Sequence, residues 1–458
     1  MYDFANSGYT TVVITAVFNA YFVAEVAGRA PWATFAWTCA LAVSYALIML
    51  TAPLIGAYAD AHAAKKRLLL FTTIGCVLFT AGLAFVGRGD VVLGMVLVAL
   101  SNFFFGTGEN LIAAFLPEIA QGEALGKVSG WGWSLGYLGG LVALGACLAY
   151  VSYAQAQGAP ASAFIPVTML ITAGIFALAS LPTFVFLRER AVPVTGATDI
   201  LRGAFARVAQ TLGQARRYAD LWRFLIALVF YQAGIQTVVA LAAIYAQEAM
   251  GFTTRDTIVL ILVVNVTAAA GAFAFGHVQD RLGHVRTLAL TLCGWLLAVV
   301  LAWMAEGAAL FWVVSNLVGL CLGASQSAGR ALVGYLSPPA RTAEFFGLWG
   351  LAVKFSSILG PLTYGAVTWV TQGNHRLAIL VTGLFFVIGL AILAGLDPAR
   401  GRSVALRDEG CIGALRAPFV SRKSSRFQDF SQPSADVLYL FRADRVLHRV
   451  LLPFDPVA

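Results

Sequence analysis

Apolar residues are gathered into twelve long runs, with polar residues confined to the short stretches between them. The first six runs begin near Phe4, Thr34, Leu68, Val91, Ser129 and Phe164. The second six begin near Leu221, Thr257, Thr287, Ala308, Phe345 and Leu377. Each has roughly the twenty residues that a helix needs to cross ~30 Å of hydrocarbon. Runs two and ten are longer and suit tilted helices. Interior glycines do not argue against helix here, because neighbouring helices in lipid use them for close approach. The pattern predicts an all-α membrane protein with twelve transmembrane helices. A longer polar stretch, about 188–221, separates them into two groups of six. Four regions follow: a six-helix half over 1–187, a linker over 188–221, a second half over 222–396, and a tail over 397–458.

Composition agrees with the pattern. The chain of 458 residues is 60% hydrophobic and 11% charged, with a mean hydropathy of +0.82. Soluble domains carry roughly 25% charged residues. No basic stretch and small-residue cleavage site precede the first run, so a cleaved signal peptide is not expected.

The formal charge of +8 is explained by where the basic residues lie. Loops after even-numbered runs hold Lys65, Lys66, Arg67, Lys127, Arg188, Arg190, Arg202, Arg207, Arg216, Arg217, Arg223, Arg281, Arg286 and Arg341. The opposite loops hold Arg29, Arg88, Arg255 and Arg376. Positively charged loops stay inside, so both termini are expected to be cytoplasmic. In a bacterium the membrane would be the inner one. The charge is then a topology signal, and nucleic acid is not an expected partner. Within the linker, Leu201, Phe205, Val208 and Leu212 fall at helical spacing. That fits an interfacial amphipathic helix on an anionic leaflet or, equally, a solvated linker helix.

Several chemistries are excluded. Five cysteines (Cys39, Cys76, Cys147, Cys293 and Cys321) sit singly in apolar runs, without the paired spacing of a disulfide framework or zinc site. The histidines are scattered, and no Gly-Lys-Ser/Thr loop exists to cradle a nucleotide phosphate. Neither an enzyme, nor a cofactor, nor ATP-driven transport is indicated.

The two groups of six echo each other. "GAYADAHAAKKR" between runs two and three parallels "GHVQDRLGHVR" between runs eight and nine. Both give Gly-x-x-x-Asp followed by basic residues: Gly56, Asp60, Lys65, Lys66 and Arg67, then Gly276, Asp280, Arg281 and Arg286. "SNFFFG" at Ser101 parallels "SNLVGL" at Ser315. "GWSLGYLGG" (Gly132, Gly136, Gly140) parallels "SSILGPLTYG" (Gly360, Pro361, Gly365).

On these repeats the chain resembles the major facilitator superfamily, whose loop signature the first echo matches. The resemblance implies two six-helix halves related by an axis along the membrane normal, with the solute site between them. "YDFANSGYTTVV", "FLPEIA", "VSGWGWSLGYLGG", "GIQTV", "GASQSAGRALVGYLSPP" and "AEFFGLWGLAVKFSSILGP" are similar, in order over about 1–396, to the vacuole-effluxer-like branch. That branch includes the fungal autophagy-related vacuolar amino-acid effluxer. Members commonly carry residues upstream of the Tyr-Asp pair, so Met1 reads as a late start. Some carry an acid where Ala233 stands, and Ala61 and Ala63 replace the usual Arg and Gly of the first signature.

Site expectations follow. Gly56 would let helices approach closely. Asp60 and Asp280, with Lys65, Lys66, Arg67, Arg281 and Arg286, would form a cytoplasmic gate of charge-assisted bonds, or merely fix loop geometry. Asp3 is placed to cap the first helix and, with Asn6, to join that gate. Charged residues inside spans are functional candidates by default. Glu109, beside Asn110, is the leading candidate for a proton carrier, the alternative being a permanent ion pair. Arg330 and Lys354 would meet a substrate carboxylate, or else snorkel to the interface or pair with Glu344. Gln232, Gln236, Asn265 and Gln326 would line a cavity or bond between helices. Trp131 and Trp133 read as packing aromatics. The tail after Asp397 has no run of membrane length and no clear period, and is expected to be weakly ordered; an altered reading frame fits equally well.

The expected function is secondary active transport of a small solute by alternating access, with protons as the candidate coupling ion. The resemblance tilts the solute toward neutral amino acids and the direction toward efflux. The alternative is a non-transporting scaffold or lipid-handling protein on the same fold.

Overall fold

The computed structural model describes residues 1–115, 124–189, 203–338 and 342–416. Within them, twelve helices are long and apolar enough to cross a membrane. The first six spans are Tyr2–Val26, Ala33–His62, Lys65–Phe85, Val91–Ala113, Ala124–Ala156 and Ala161–Phe186. The second six are Ala219–Glu248, Thr254–Leu282, His284–Met304, Ala308–Leu336, Thr342–Val370 and His375–Ala394. A linker helix, Ala204–Ala215, lies between the groups. The chain enters at Met1 and reverses at each turn, so it has a Met1 end and an opposite end marked by Arg29.

Local chemistry fixes the reversals. At the Arg29 end, Gly158, Gly251 and Gly373 take φ of +74°, +69° and +94°. Thr253 and Asp256 form a reciprocal capping box that opens span eight, and Asn374 caps span twelve by accepting from the Leu377 N–H at 2.9 Å. At the Met1 end, the carboxylate of Glu189, just beyond span six, accepts from the Lys65 and Lys66 N–H groups at 2.7 and 3.1 Å. It thereby caps span three from a distance in sequence, at the end where the dipole favours an anion.

The two halves are built alike. In the first, span five lies on span one: a Cβ at Gly139 would collide with the carbonyl of Phe4, and one at Gly140 would meet the Thr11 side chain at 3.2 Å. In the second, span eleven lies on span seven: a Cβ at Gly360 would collide with the carbonyl of Ala233. The glycine echo read in the sequence is thus a repeated helix contact. Spans one and seven are the most enclosed, with 78% and 67% of their apolar windows buried against at most 44% for any other span. They are the central pair of the molecule.

The apolar core is unevenly shared. One cluster runs through the first half and continues into the Arg29 ends of the second-half spans, taking in Ala240, Ile244, Ile258, Phe311, Tyr364 and Ile379. A separate cluster, including Leu228, Trp295, Leu332 and Phe386, fills the Met1 end of the second half. Apolar packing therefore fuses the halves at the Arg29 end. Phe35 of span two stacks on Trp369 of span eleven at 4.9 Å there, and Thr38 lies against Gly365.

Three features depart from the sequence reading. Span one begins at Tyr2 with Met1 as its cap residue, so Asp3 sits in the first turn and makes no capping hydrogen bond. A Cβ at Gly56 would meet nothing within 4 Å among the described residues, so no described helix packs closely on it. The segment after Asp397 begins with a helix, Pro398–Arg416. Arg400 holds this helix to Asp220 at the start of span seven through two bonds of 2.7 and 2.6 Å. Arg402 donates to the carbonyl of Tyr335 at 3.1 Å. Sequence periodicity missed the helix because its anchors are polar. Residues 417–458 lie outside the described residues, as do the side chains of Trp131, Trp133, Phe205 and Val208.

Candidate functional site

Polar side chains converge between the halves, on the Met1 side of the fused region. Glu109 is four residues from the end of span four, and Lys354 lies well inside span eleven. The Lys354 Nζ donates to Glu109 Oε2 at 2.8 Å, joining the first half to the second. Neither side chain is sealed away: Lys354 is 19% exposed and Glu109 45%. A wet ion pair at this depth, between halves rather than against lipid, marks a polar cleft. Tyr45 of span two adds its ring face, with the Lys354 ammonium 5.6 Å from the centroid.

More charge is arranged around this pair. Asp3 lies near enough to Glu109 for the two carboxylates to repel. Arg330 of span ten lies over the ring of Trp349 at 5.4 Å and within electrostatic reach of Glu109 and Tyr137. The acids Asp3 and Glu109 thus belong to the first half, and the bases Arg330 and Lys354 to the second. Beside them, Gln232 Nε2 donates to Gln326 Oε1 at 3.2 Å, one helical turn before Arg330. Gln232 is buried and its side-chain oxygen Oε1 finds no partner among the described residues, nor does the Asn6 side-chain oxygen Oδ1.

The remaining sequence candidates divide. Asn110 is exposed next to Glu109, and Gln236 is half-buried. Asn265 bonds the Ile261 carbonyl of its own helix at 2.8 Å, which is local satisfaction. Lys354 pairs with Glu109 rather than snorkelling to the interface; the Glu344 side chain, its other expected partner, lies outside the described residues. Of the expected gate, Lys65 and Lys66 are engaged at Glu189, and the Lys66 Nζ donates to the Leu187 carbonyl at 2.7 Å. Arg67, Arg281 and Arg286 are exposed. The side chains of Asp60 and Asp280 lie outside the described residues.

Sequence reading missed Tyr45 and Tyr137, whose aromatic type blends into an apolar run. It also missed Ser44 and Asn102, which bond across spans two and four at 2.9 Å. A polar residue every few positions in spans two and four is the signal that was available.

No set of three His, Cys, Asp or Glu side chains suited to a metal ion occurs among the described residues. The assembly is therefore a cleft lined by opposite charges and neutral hydrogen-bonding groups, set between two halves that meet at one end.

Known proteins bear on this arrangement. The family described as vacuole effluxer Atg22-like matches residues 26–125 and 121–406. An uncharacterized MFS-type transporter, YxiO of Bacillus subtilis, is 29% identical over 399 residues, covering 86% of this chain and 92% of that protein. Autophagy-related protein 22 of Pyricularia oryzae is 26% identical, covering 81% of this chain; the chain spans 65% of its length. The chain spans 38% of the length of the Candida glabrata protein of the same name. Among solved structures, the nucleoside transporter NupG is similar with a TM-score of 0.66 at 16% identity, covering 86% of this chain and 97% of that one. A D-xylose-proton symporter is similar with a TM-score of 0.65 at 14% identity, covering 87% and 97%. The Bacillus subtilis relative is named an MFS-type transporter, the matching family is described as a vacuole effluxer family, and the solved structures share the fold. This chain is a multi-pass membrane transporter of the major facilitator type and belongs to the vacuole effluxer Atg22-like family.

Proposed function

We propose that the chain is a secondary active transporter that exports neutral amino acids by alternating access, with both termini cytoplasmic. The observation that carries the reading is the segregation of charge between the halves. Glu109, with Asp3 beside it, faces Lys354 and Arg330 across the cleft. A free amino acid carries an ammonium and a carboxylate on one carbon. Its ammonium suits the acids of the first half, and its carboxylate suits the guanidinium of Arg330 or the ammonium of Lys354. A zwitterion entering the cleft would compete with the Glu109–Lys354 pair and replace one inter-half bond with two bonds to itself. That gives the bound solute a differential hold on the two conformations, which alternating access requires. Gln232, Gln236 and Gln326 supply neutral contacts for the rest of the solute.

Protons are the proposed coupling ion, with Glu109 as carrier. The family description, vacuole effluxer, supports efflux, and the amino-acid cargo rests on the charge arrangement. The gate reading of Asp60, Asp280, Arg281 and Arg286 stands beside it: these residues occupy the Met1 end, which must close when the Arg29 end opens.

The test is flux in proteoliposomes across a panel of amino acids, nucleosides and sugars, with and without a pH gradient. Neutral amino acids should be carried, and Glu109→Gln should abolish the response to the gradient. Flux of uncharged sugars in preference to amino acids would overturn the cargo. Flux whose pH response survives Glu109→Gln would overturn the carrier role.

A further inference from the structure

Span one is not a continuous α-helix. It is α-helical over Tyr2–Tyr9, π-helical over Thr10–Ala16, α-helical over Phe18–Tyr21 and π-helical again over Phe22–Val26. At the first junction Val17 takes φ −119° and ψ −64°. Wide π turns tend to occur singly and at functional positions; here two interrupt one of the two central spans.

The bonding at the break is specific. In a π turn the N–H of each residue reaches the carbonyl five positions back, as Val17 does to Val12 at 2.9 Å. The same register would join the Ala20 N–H to the Thr15 carbonyl. Asn19 stands in place of that bond. Its Oδ1 accepts from the Ala20 N–H at 2.8 Å, and its Nδ2 donates to the Thr15 carbonyl at 3.0 Å. A side chain inserted in the ladder is a recognised cause of a helix break. The second Nδ2 hydrogen goes to the Ala240 carbonyl of span seven at 3.1 Å. The opposite amide orientation would aim Oδ1 at two carbonyls, so the network fixes the assignment. Asn19 is fully buried, where unpaired backbone groups are costly.

One carboxamide therefore does two things. It holds span one broken near mid-span, and it ties the break to the other half at the fused end. Only a carboxamide carries two such donors and an acceptor, and asparagine holds it one carbon closer to the backbone than glutamine. We infer that Asn19 is the latch of the Arg29-side gate, coupling the break in span one to closure of that face on span seven. When that face opens, the bond to Ala240 must break. The freed Nδ2 hydrogen then has no inter-half acceptor, and the break in span one loses its brace. The inference rests on the alternating-access reading but concerns closure rather than cargo. The Arg29–Glu248 pair at the rim, at 3.3 Å with Arg29 68% exposed, contributes little beside it.

The test uses the full chain in liposomes, with Thr38→Cys as reporter. Thr38 is fully buried between the halves against Gly365, so an impermeant maleimide added from the Arg29 side reaches it only when that face opens. Labelling is scored over the parent lacking Thr38→Cys. Asn19→Ala should raise the labelling rate about three- to tenfold. Asn19→Asp, which keeps the acceptor for Ala20 and loses both donors, should raise it similarly, and it serves where Asn19→Ala does not fold. Arg29→Ala should change the rate less than about twofold. Lower thermal stability in the Asn19 variants with unchanged labelling would mean simple packing and would overturn the latch. The labelling result does not depend on any solute being carried, so it stands or falls apart from the cargo.

Discussion

Two glycines of span five, six residues apart, should respond oppositely to the same methyl group. Both Gly139 and Gly145 lie in the helix Ala124–Ala156. A Cβ at Gly145 meets nothing within 4 Å. Replacing it with alanine should stabilise by about 0.5–1 kcal/mol, the ordinary helix preference for Ala over Gly. A Cβ at Gly139 meets the backbone of Phe4, with the carbonyl carbon and Cα both at 2.6 Å. Those atoms belong to the packed span one and cannot swing aside, so the helices must separate by about 1 Å. A gap of that size forfeits a quarter to a half of each dispersion contact it crosses, at ~0.1–0.2 kcal/mol per atom pair. Over some forty contacts this is about 2 kcal/mol, and overpacking strain adds roughly 1–3 kcal/mol. Against the helix gain, Gly139→Ala should cost about 2–4 kcal/mol. The repeat-related contact of Gly360 on Ala233 should cost about the same. The assay is thermal unfolding in detergent, comparing Gly139→Ala, Gly145→Ala and Gly360→Ala with the parent. Equal shifts for Gly139→Ala and Gly145→Ala would refute the claim that backbone contact defines the span one–span five interface.

Three further outcomes are expected. Glu109→Gln should lower thermal stability by roughly 1–3 kcal/mol, because it leaves the Lys354 ammonium, only 19% exposed, without its counter-charge, and should lower flux at least tenfold; reversing both charges (Glu109→Lys with Lys354→Glu) should recover part of each, read as flux beside a thermal scan. Glu189→Ala should cost about 1 kcal/mol through loss of a helix cap, with faster hydrogen exchange at Lys65 and Lys66 as the local signature. Arg400→Ala should lower the melting temperature more than Asp220→Ala, because it strands a carboxylate that is 3% exposed, whereas the guanidinium left by Asp220→Ala is already 53% exposed and rehydrates.

Fold and membrane class were legible because the solvent dictates them. Twelve apolar runs admit little but twelve helices, and the two six-helix halves follow from repeats that packing later explains at Gly140 and Gly360. Glu109 and Lys354 were legible as charges out of place, although their partnership was not. They are 245 positions apart, and no local period connects spans four and eleven. Asp3 was misread as a cap because the sequence does not reveal that the helix starts two residues earlier than Phe4, at Tyr2. Gly56 was misread because a signature glycine does not say which neighbour it faces. Asn19 escaped notice entirely. A buried asparagine in an apolar run signals a hydrogen bond, but not that span one is broken around it.

The two ends of the molecule hold the halves together by different physics, and that difference bears on how the transporter chooses its state. At the Arg29 end the join is apolar packing, aromatic stacking, one buried amide and a single exposed rim pair, Arg29–Glu248, so little of it is sensitive to salt. At the Met1 end the sequence places its basic residues, and charge pairs near water are weak and screened. Alternating access needs two states within a few kcal/mol of each other. The apolar seal must therefore be limited in strength, and the charged end must gain enough on closing to offset it. Raising ionic strength therefore weakens mainly the Met1-end closure and should shift the population toward the form closed at the Arg29 end. Thr38→Cys labelling from the Arg29 side should then fall as salt rises from about 50 to 500 mM. A rise in labelling would mean that the Arg29 end, despite its apolar core, is held mainly by charge.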